Sequence, residues 1–155
     1  MVRFAEEKDL DRINDLRKQV NDIHVKGRPD VFREGFGEEI RDLAKEILEG
    51  ESSDIIVVER DGIICGMACV DYVNRPETAY TKARSFYHVQ EIAVDVKFRR
   101  QGVARELLEF MTADAKKRKF NKIELDVWEF NDSAIQFYEE IGFNQTRRWM
   151  EYEIK

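Results

Sequence analysis

The sequence predicts an α/β fold: one mixed β-sheet of about six to seven strands with helices on both faces, built as a single domain over residues 1–155. Three observations carry this. Stretches of alternating or continuous apolar residues exchange with stretches whose apolar residues recur every three or four positions, in the order β-α-α-β-β-β-α-β-α-β. Asp61-Gly62 joins two β-branched runs as a hairpin turn. From Gln90 to Glu109 an apolar strand runs into a basic turn, then Gly102, then an amphipathic helix.

In chain order, Val2 to Ala5 forms a short first strand. Asp9 is placed to cap a helix that carries Leu10, Ile13, Leu16, Val20 and Ile23 on one side. Gly27-Arg28-Pro29-Asp30 breaks it. The loop that follows holds Phe32 and Phe36, which either pack onto the domain or wall a substrate site. A second helix spans Glu38 to Glu49, with Gly50 at its stop. Strands over Asp54–Glu59 and Ile63–Val73 flank the hairpin turn, and Asn74 to Arg84 reads as a polar loop. Ser85 to Asp95 is the next strand and Val96 to Gln101 the basic turn. The third helix repeats Val103, Leu107, Met111 and Ala115. Lys122 to Trp128 alternates as a strand, Asn131 opens a short helix that Gly142 ends, and Arg148 to Ile154 reads as a closing strand.

Composition narrows the classes of function. The chain is 43% hydrophobic and 37% charged, the balance of a folded water-soluble domain. A net charge of −6 argues against nucleic acid as a partner, and Lys116–Lys119 is better read as the charged end of a helix than as a nucleic-acid patch. No apolar run approaches the ~20 residues that span a bilayer, so no membrane partner is expected, and without a signal-peptide core the expected location is cytoplasmic. Cys65 and Cys69, four apart, are expected on one face of a strand as buried apolar residues, and no metal site is expected.

The chemistry concentrates around Gly102. The amides of residues 99 to 104 are the orphan donors of a helix start, at the positive end of its dipole, and this geometry suits a phosphate. Arg99 and Arg100 add fixed positive charge. Neither the Walker glycine-lysine pattern nor the Gly-x-Gly-x-x-Gly fingerprint is present. What stands there is Arg99-x-x-Gly102-x-Ala104 after a strand ending in Val94. A second constellation follows at Asn131-x-x-Ala134-x-x-x-Tyr138-x-x-x-Gly142-Phe143.

Together, in this order, the two motifs resemble those of the GNAT superfamily of acyl-CoA-dependent N-acetyltransferases. The resemblance runs over essentially the whole chain and is weakest at 28–36 and 74–84. It departs from the strongest form of the pattern where Ala104 replaces a second glycine. It implies acetyl-CoA as acyl donor and an amine, small or protein-borne, as acceptor. Two central parallel strands, 85–95 and 122–128, would splay apart to hold CoA. The diphosphate would lie on Arg99, Arg100, Gln101, Gly102, Val103 and Ala104, and the pantetheine arm along Ile92, Ala93 and Val94. Asn131 would touch that arm, and Tyr138 would be the general acid for the departing thiolate. Dimers are common in this architecture, so a homodimer is an open expectation, with the closing strand as a candidate contact.

An amine with a pKa of ~10.4 arrives protonated, so a base is useful. His88, Glu91 and Asp126 are the candidates, and family members without a dedicated base also exist. The same fold without catalysis, a CoA-binding sensor, is the alternative function.

Overall fold

The computed structural model describes all 155 residues. Its sheet has five strands in the order β1 (Val2–Phe4), β2 (Ser53–Arg60), β3 (Ile63–Arg75), β4 (Arg84–Val94) and β5 (Ile123–Leu125). The first four are antiparallel to their neighbours, and β5 runs parallel to β4. The helices are α1 (Leu10–Gly27), α2 (Glu38–Glu49), α3 (Val103–Lys117) and α4 (Asp132–Glu140). No helix is long and apolar enough to cross a membrane.

The two faces of the sheet carry two cores. Ile13, Leu16 and Ala44 of α1 and α2 pack on Ile55, Val57, Met67 and Ala93. On the other face Val103, Leu107 and Met111 of α3 pack on Ile56, Val58, Ala68, Val70 and Tyr87. The run Ile55-Ile56-Val57-Val58 is apolar without alternation because β2 is covered on both sides, each of its four side chains being 0% exposed.

The mixed α/β architecture is the one the sequence predicts, with three differences in detail. The sheet has five strands rather than six or seven, because residues 144–155 take no regular structure and make no backbone hydrogen bond to the sheet. The parallel pair therefore closes one edge of the sheet instead of lying at its centre. β5 is also shorter than 122–128, since its pairing with β4 ends at Val89↔Leu125.

Two bulges explain other departures. Val58 pairs with Gly66 and Glu59 with Ile64, which leaves Cys65 as an extra residue in β3. The side-chain alternation slips there, so Cys65 joins the α3 core and Cys69 the α1 core instead of sharing a face. Both thiols are free and buried. The second bulge, at Gln90, shapes the site described below. At the hairpin, Asp61 (φ 51) and Gly62 (φ 77) take the left-handed conformations of a two-residue type I′ turn. Asp9 does not cap α1. A 3-10 turn over Glu7–Asp9 precedes the helix, and the Asp9 carboxylate accepts from the Glu6 amide at 2.8 Å and pairs with Arg3 at 2.7 Å.

Gly66 sets how closely α3 lies on the sheet, for a Cβ there would collide with Cγ1 of the fully packed Val103, the first residue of α3. Gly66→Ala is expected to lower stability by about 1–3 kcal/mol, measured by urea unfolding. An unchanged midpoint would mean that α3 is free to lift.

Candidate active site

β4 and β5 pair only over Tyr87↔Ile123, His88↔Glu124 and Val89↔Leu125. At the next residue β4 bulges: Val70 of β3 pairs with Val89 and Cys69 with Glu91, leaving Gln90 extra. Beyond this point Ile92, Ala93 and Val94 keep β3 on one side and have no strand on the other. A wedge thus opens between β4 and the chain leaving β5, floored by main-chain donors and acceptors. Ala93 is buried in the α1 core, while Ile92 and Val94 pack against the α3 core.

The wedge leads into the turn before α3. The Asp95 side chain accepts from the Lys97 amide at 2.9 Å and pairs with Arg12, and these contacts, opposing the cost of burial, hold its carboxyl below the ordinary range. A 3-10 turn over Val96–Phe98 follows, then Arg100 at φ 62 and Gly102 at φ 84. Nothing lies within 4 Å of where a Gly102 Cβ would be, so this glycine is required by its left-handed backbone and not by crowding. Arg99, Arg100, Gln101 and Gly102 are exposed, Ala104 is half-buried, and Val103 is tucked beneath. The first amide after this turn to find a carbonyl is that of Glu106, on Gly102 at 3.0 Å, so the amides of 99–105 stay unpaired at the positive end of a 15-residue helix. Lys97, Arg99, Arg100 and Arg105 make no ion pair within the chain, although Arg12 and Arg60 nearby are neutralised by Asp95 and Glu106. In a protein of net charge −6 this is a local surplus of positive charge around free amides.

The bulge also turns Glu91 to the α1 side, which the ordinary alternation assigns to His88 and Gln90. Arg17, 9% exposed, donates from Nε to Glu91 at 3.2 Å. Its Nη1 donates to the Ile40 carbonyl at 2.8 Å and to Asn14 Oδ1 at 3.0 Å, and the Phe36 ring centroid lies 5.6 Å from its guanidinium carbon. Burial pushes the Glu91 carboxyl above its ordinary value, with Arg17 opposing.

His88 sits between carboxylates on both neighbouring strands. Its Nδ1 lies 3.3 Å from Asp71 Oδ2, directly across on β3, and the other Asp71 oxygen accepts from Gln90 Nε2 at 2.5 Å. On β5 its register partner is Glu124, which Arg84 neutralises at 2.5 Å. His88 and Glu91 therefore lie on the same side of β4, while Asp126 is exposed past the end of β5.

After β5, the Asn131 side chain accepts from the Ala134 amide at 3.4 Å and caps α4. Tyr138 on α4 is half-buried between Phe137 and Phe143 (ring centroids at 5.5 Å each). Burial pushes its phenol up to about 12. Its hydroxyl has no hydrogen bond within the chain and is not among the polar atoms sealed from solvent. The loop after α1 closes one end of this region: Phe32 stacks on His24 at 5.0 Å and meets Trp128 edge-on at 5.5 Å.

Sequence reasoning missed Arg17 and Asp71. Arg17 had a signal, being a cation four residues after Ile13 on the apolar stripe of α1. Asp71 had a weaker one, the single carboxylate in the apolar run from Ile63 to Val73.

A family model described as the Acetyltransferase (GNAT) family matches residues 17–143. The ribosomal protein bS18-alanine N-acetyltransferase of Escherichia coli K12 is 43% identical over 54 residues, which are 35% of this chain and 36% of that protein. N-acetyltransferase 8 of Homo sapiens is 28% identical over 108 residues, 70% of this chain and 46% of its own. The matched stretches thus span about a third and about half of these relatives. Among solved structures, a mutant of the BH1408 protein from Bacillus halodurans superposes with a TM-score of 0.96 at 27% identity, over 100% of this chain and 99% of that one. The aminoglycoside N-acetyltransferase AAC(6')-Iy in complex with CoA gives 0.78 at 19% identity, over 100% and 94%, a likeness of fold.

The Arg17–Glu91 pair makes a signed prediction. A carboxyl raised on folding contributes its stability fully below its unfolded value, and the contribution is lost as pH rises through the folded value. Arg17→Met removes the opposing cation and raises Glu91 further. Stability should then fall more steeply from acid to neutral pH, with a loss at neutral pH on the order of 3 kcal/mol. Adding Glu91→Gln should flatten the profile again. Urea unfolding across pH measures both, and equal slopes in wild type and Arg17→Met would exclude the coupling.

Proposed function

The chain belongs to the GNAT acetyltransferase family, and on that premise we propose that it transfers the acetyl group of acetyl-CoA to a primary amine by direct attack. The observation that carries the reading is the exposed turn at Arg99–Gly102, with free amides and unpaired cations, opening onto the wedge beside β4. A diphosphate suits that turn, since Gly102, Val103 and Ala104 offer amides and Arg99 and Arg100 offer charge. The free edge of Ile92–Val94 suits the amide-bearing pantetheine arm, which would bind there much as an added strand. Asn131, already fixed at the head of α4, is the polar contact on the opposite wall.

The residues then divide the chemistry. His88 takes the proton of the incoming ammonium at Nε2, because Asp71 holds the proton-bearing Nδ1. Glu91, which accepts from Arg17 Nε, is a second carboxyl group for the cationic amine to meet on the same side of β4. The neutral amine attacks the thioester carbonyl, a C–N bond forms, and a main-chain N–H on the free β4 edge steadies the oxyanion. The C–S bond breaks as the carbonyl reforms, the acylated nitrogen gives up its remaining extra proton to solvent, and Tyr138 donates a hydrogen bond to the departing thiolate. A phenol pushed up to about 12 stays protonated throughout the working range. That is well above an ordinary thiol near ~8.5, so its donation follows bond breaking as a hydrogen bond that strengthens with the sulfur's charge.

The relatives act on an alanine of a ribosomal protein or on aminoglycosides, and these share a primary amine. For this chain the acceptor is proposed to enter over Phe32, Phe36 and Trp128, toward Asp71 and Glu91. Two free buried thiols suit a reducing cytoplasm.

Tyr138→Phe is expected to lower kcat by about 10²-fold or more while acetyl-CoA affinity, measured by calorimetry, stays within a few-fold. Unchanged turnover would remove the residue from the acid role. His88→Gln and Asp71→Asn should each lower kcat/KM, and the double variant should fall little below His88→Gln alone. Additive losses would show that Asp71 does not act through His88. Acetyl-CoA binding without turnover on any amine of a broad panel would favour the CoA sensor over the enzyme.

A further inference from the structure

Arg17 is the one cation among the buried polar residues. A guanidinium carries five N–H donors in a fixed plane. Three of them are spent: Nε on Glu91 Oε2, and Nη1 on the Ile40 carbonyl and on Asn14 Oδ1. Asn14 is itself held, since its Nδ2 donates to the Arg41 carbonyl at 3.2 Å, so the plane of the guanidinium is fixed between α1, α2 and β4. Nη2 makes no hydrogen bond within the chain and is not among the polar atoms sealed from solvent. Joining the three elements takes only Nε and Nη1. A leftover donor on a side chain this buried costs free energy until something fills it.

The planar group dictates where that donor opens. One N–H of Nη2 lies parallel to the Nε–H, the fork that ordinarily grips both oxygens of a carboxylate. Glu91 takes only the Nε half. The other half therefore opens beside Glu91, on the α1 side of β4 where His88 also lies. The β3 partners of His88 and Glu91 are Asp71 and Cys69, two residues apart, so the two side chains leave the sheet ~7 Å from each other. Phe36, from the loop after α1, borders the same donor.

We propose that Arg17 Nη2 receives the carbonyl oxygen of an α-amino carbonyl acceptor, an amino-acid amide or the first residue of a peptide, whose ammonium lies between Glu91 and His88. The inference rests on the acetyltransferase reading above and narrows its acceptor. In such a compound the amine nitrogen and the carbonyl oxygen are three bonds apart, so the oxygen can meet Nη2 while the nitrogen stays beside Glu91 and faces His88. A carboxylate in the same place would lie against the carboxyl groups of Glu91 and Asp71, which makes the neutral carbonyl the better match. An α-amine also has a pKa of ~7.7–8.0 against ~10.4 for a lysine-type amine, so far more of it is neutral near pH 7 and a histidine suffices as base.

Calorimetric titration in excess CoA, below pH ~7 where the compared amines are all cations, tests this. Alaninamide is expected to bind about tenfold tighter than 3-methylbutan-2-amine, which puts an isopropyl group of the same shape in place of the carboxamide, and tighter than free alanine. In Arg17→Lys, which keeps a cation but offers one nitrogen in place of three, the preference for the amide over the alkylamine should shrink to within about twofold. The Arg17 Nε–H resonance gives a reading that needs no variant: alaninamide should shift it and the alkylamine should not. A three-residue peptide amide that binds tighter than alaninamide marks the acceptor as a chain N-terminus, and one that binds no tighter marks a small amide; both agree with the proposal. Equal affinity for alaninamide and the alkylamine, a preference for free alanine, or a preference for the amide that Arg17→Lys retains would overturn it. Should binding follow the expected pattern while acetyl-CoA acetylates none of these amines, the carbonyl subsite stands and the acetyltransferase reading falls.

Discussion

One extra residue in β4 shapes the site. Gln90 has no counterpart on β3, since Cys69 and Val70 are consecutive while their partners Glu91 and Val89 are not. A bulge sharpens the local twist and bends the strand. Up to Val89, β4 can serve two neighbours; beyond it, only β3. The free edge over Ile92–Val94 is the direct result. So is the placing of Glu91 with His88 on the α1 side, and with it the Arg17 ion pair.

The electrostatics divide along the sheet. On the α1 side Asp71, Glu91 and Glu124 gather around His88, and Arg17 and Arg84 hold two of them. At the end of β4 the sign reverses: unpaired cations and unpaired amides surround Gly102. The two regions meet at the wedge. An anionic donor on one side and a cationic acceptor on the other would each find the opposite charge, which steers both without asking the acidic protein to attract polyanions in general.

What the sequence made legible was what neighbouring residues decide. The bounds of α2 and the Asp61-Gly62 turn follow from local periodicity and turn chemistry, and the Gly102 turn follows from a basic run between a strand and a helix. The bulges at Cys65 and Gln90 were not legible, because a bulge is defined by the opposite strand, and each one reassigns faces that simple alternation gets wrong. The Asp71–His88 contact is likewise a cross-strand fact. The strand expected at 148–154 shows a limit of a different kind: its alternation is real, but a strand is made by pairing, and residues 144–155 make no backbone hydrogen bond to the sheet. Of the candidate site, the turn at Arg99–Gly102 and Tyr138 could be named from motifs, whereas Arg17 and Asp71 emerged only when tertiary contacts joined distant positions.

The central claim is that the free amides preceding α3 receive a diphosphate. Amide chemical-shift mapping of the ¹⁵N-labelled protein during titration with CoA reads those donors one by one. The account predicts that the largest downfield shifts fall on residues 99–105, and that pantetheine, which lacks the diphosphate, leaves them unmoved while still shifting Ile92–Val94. Saturating CoA that shifts other amides and spares those of Gly102 to Arg105 would contradict it.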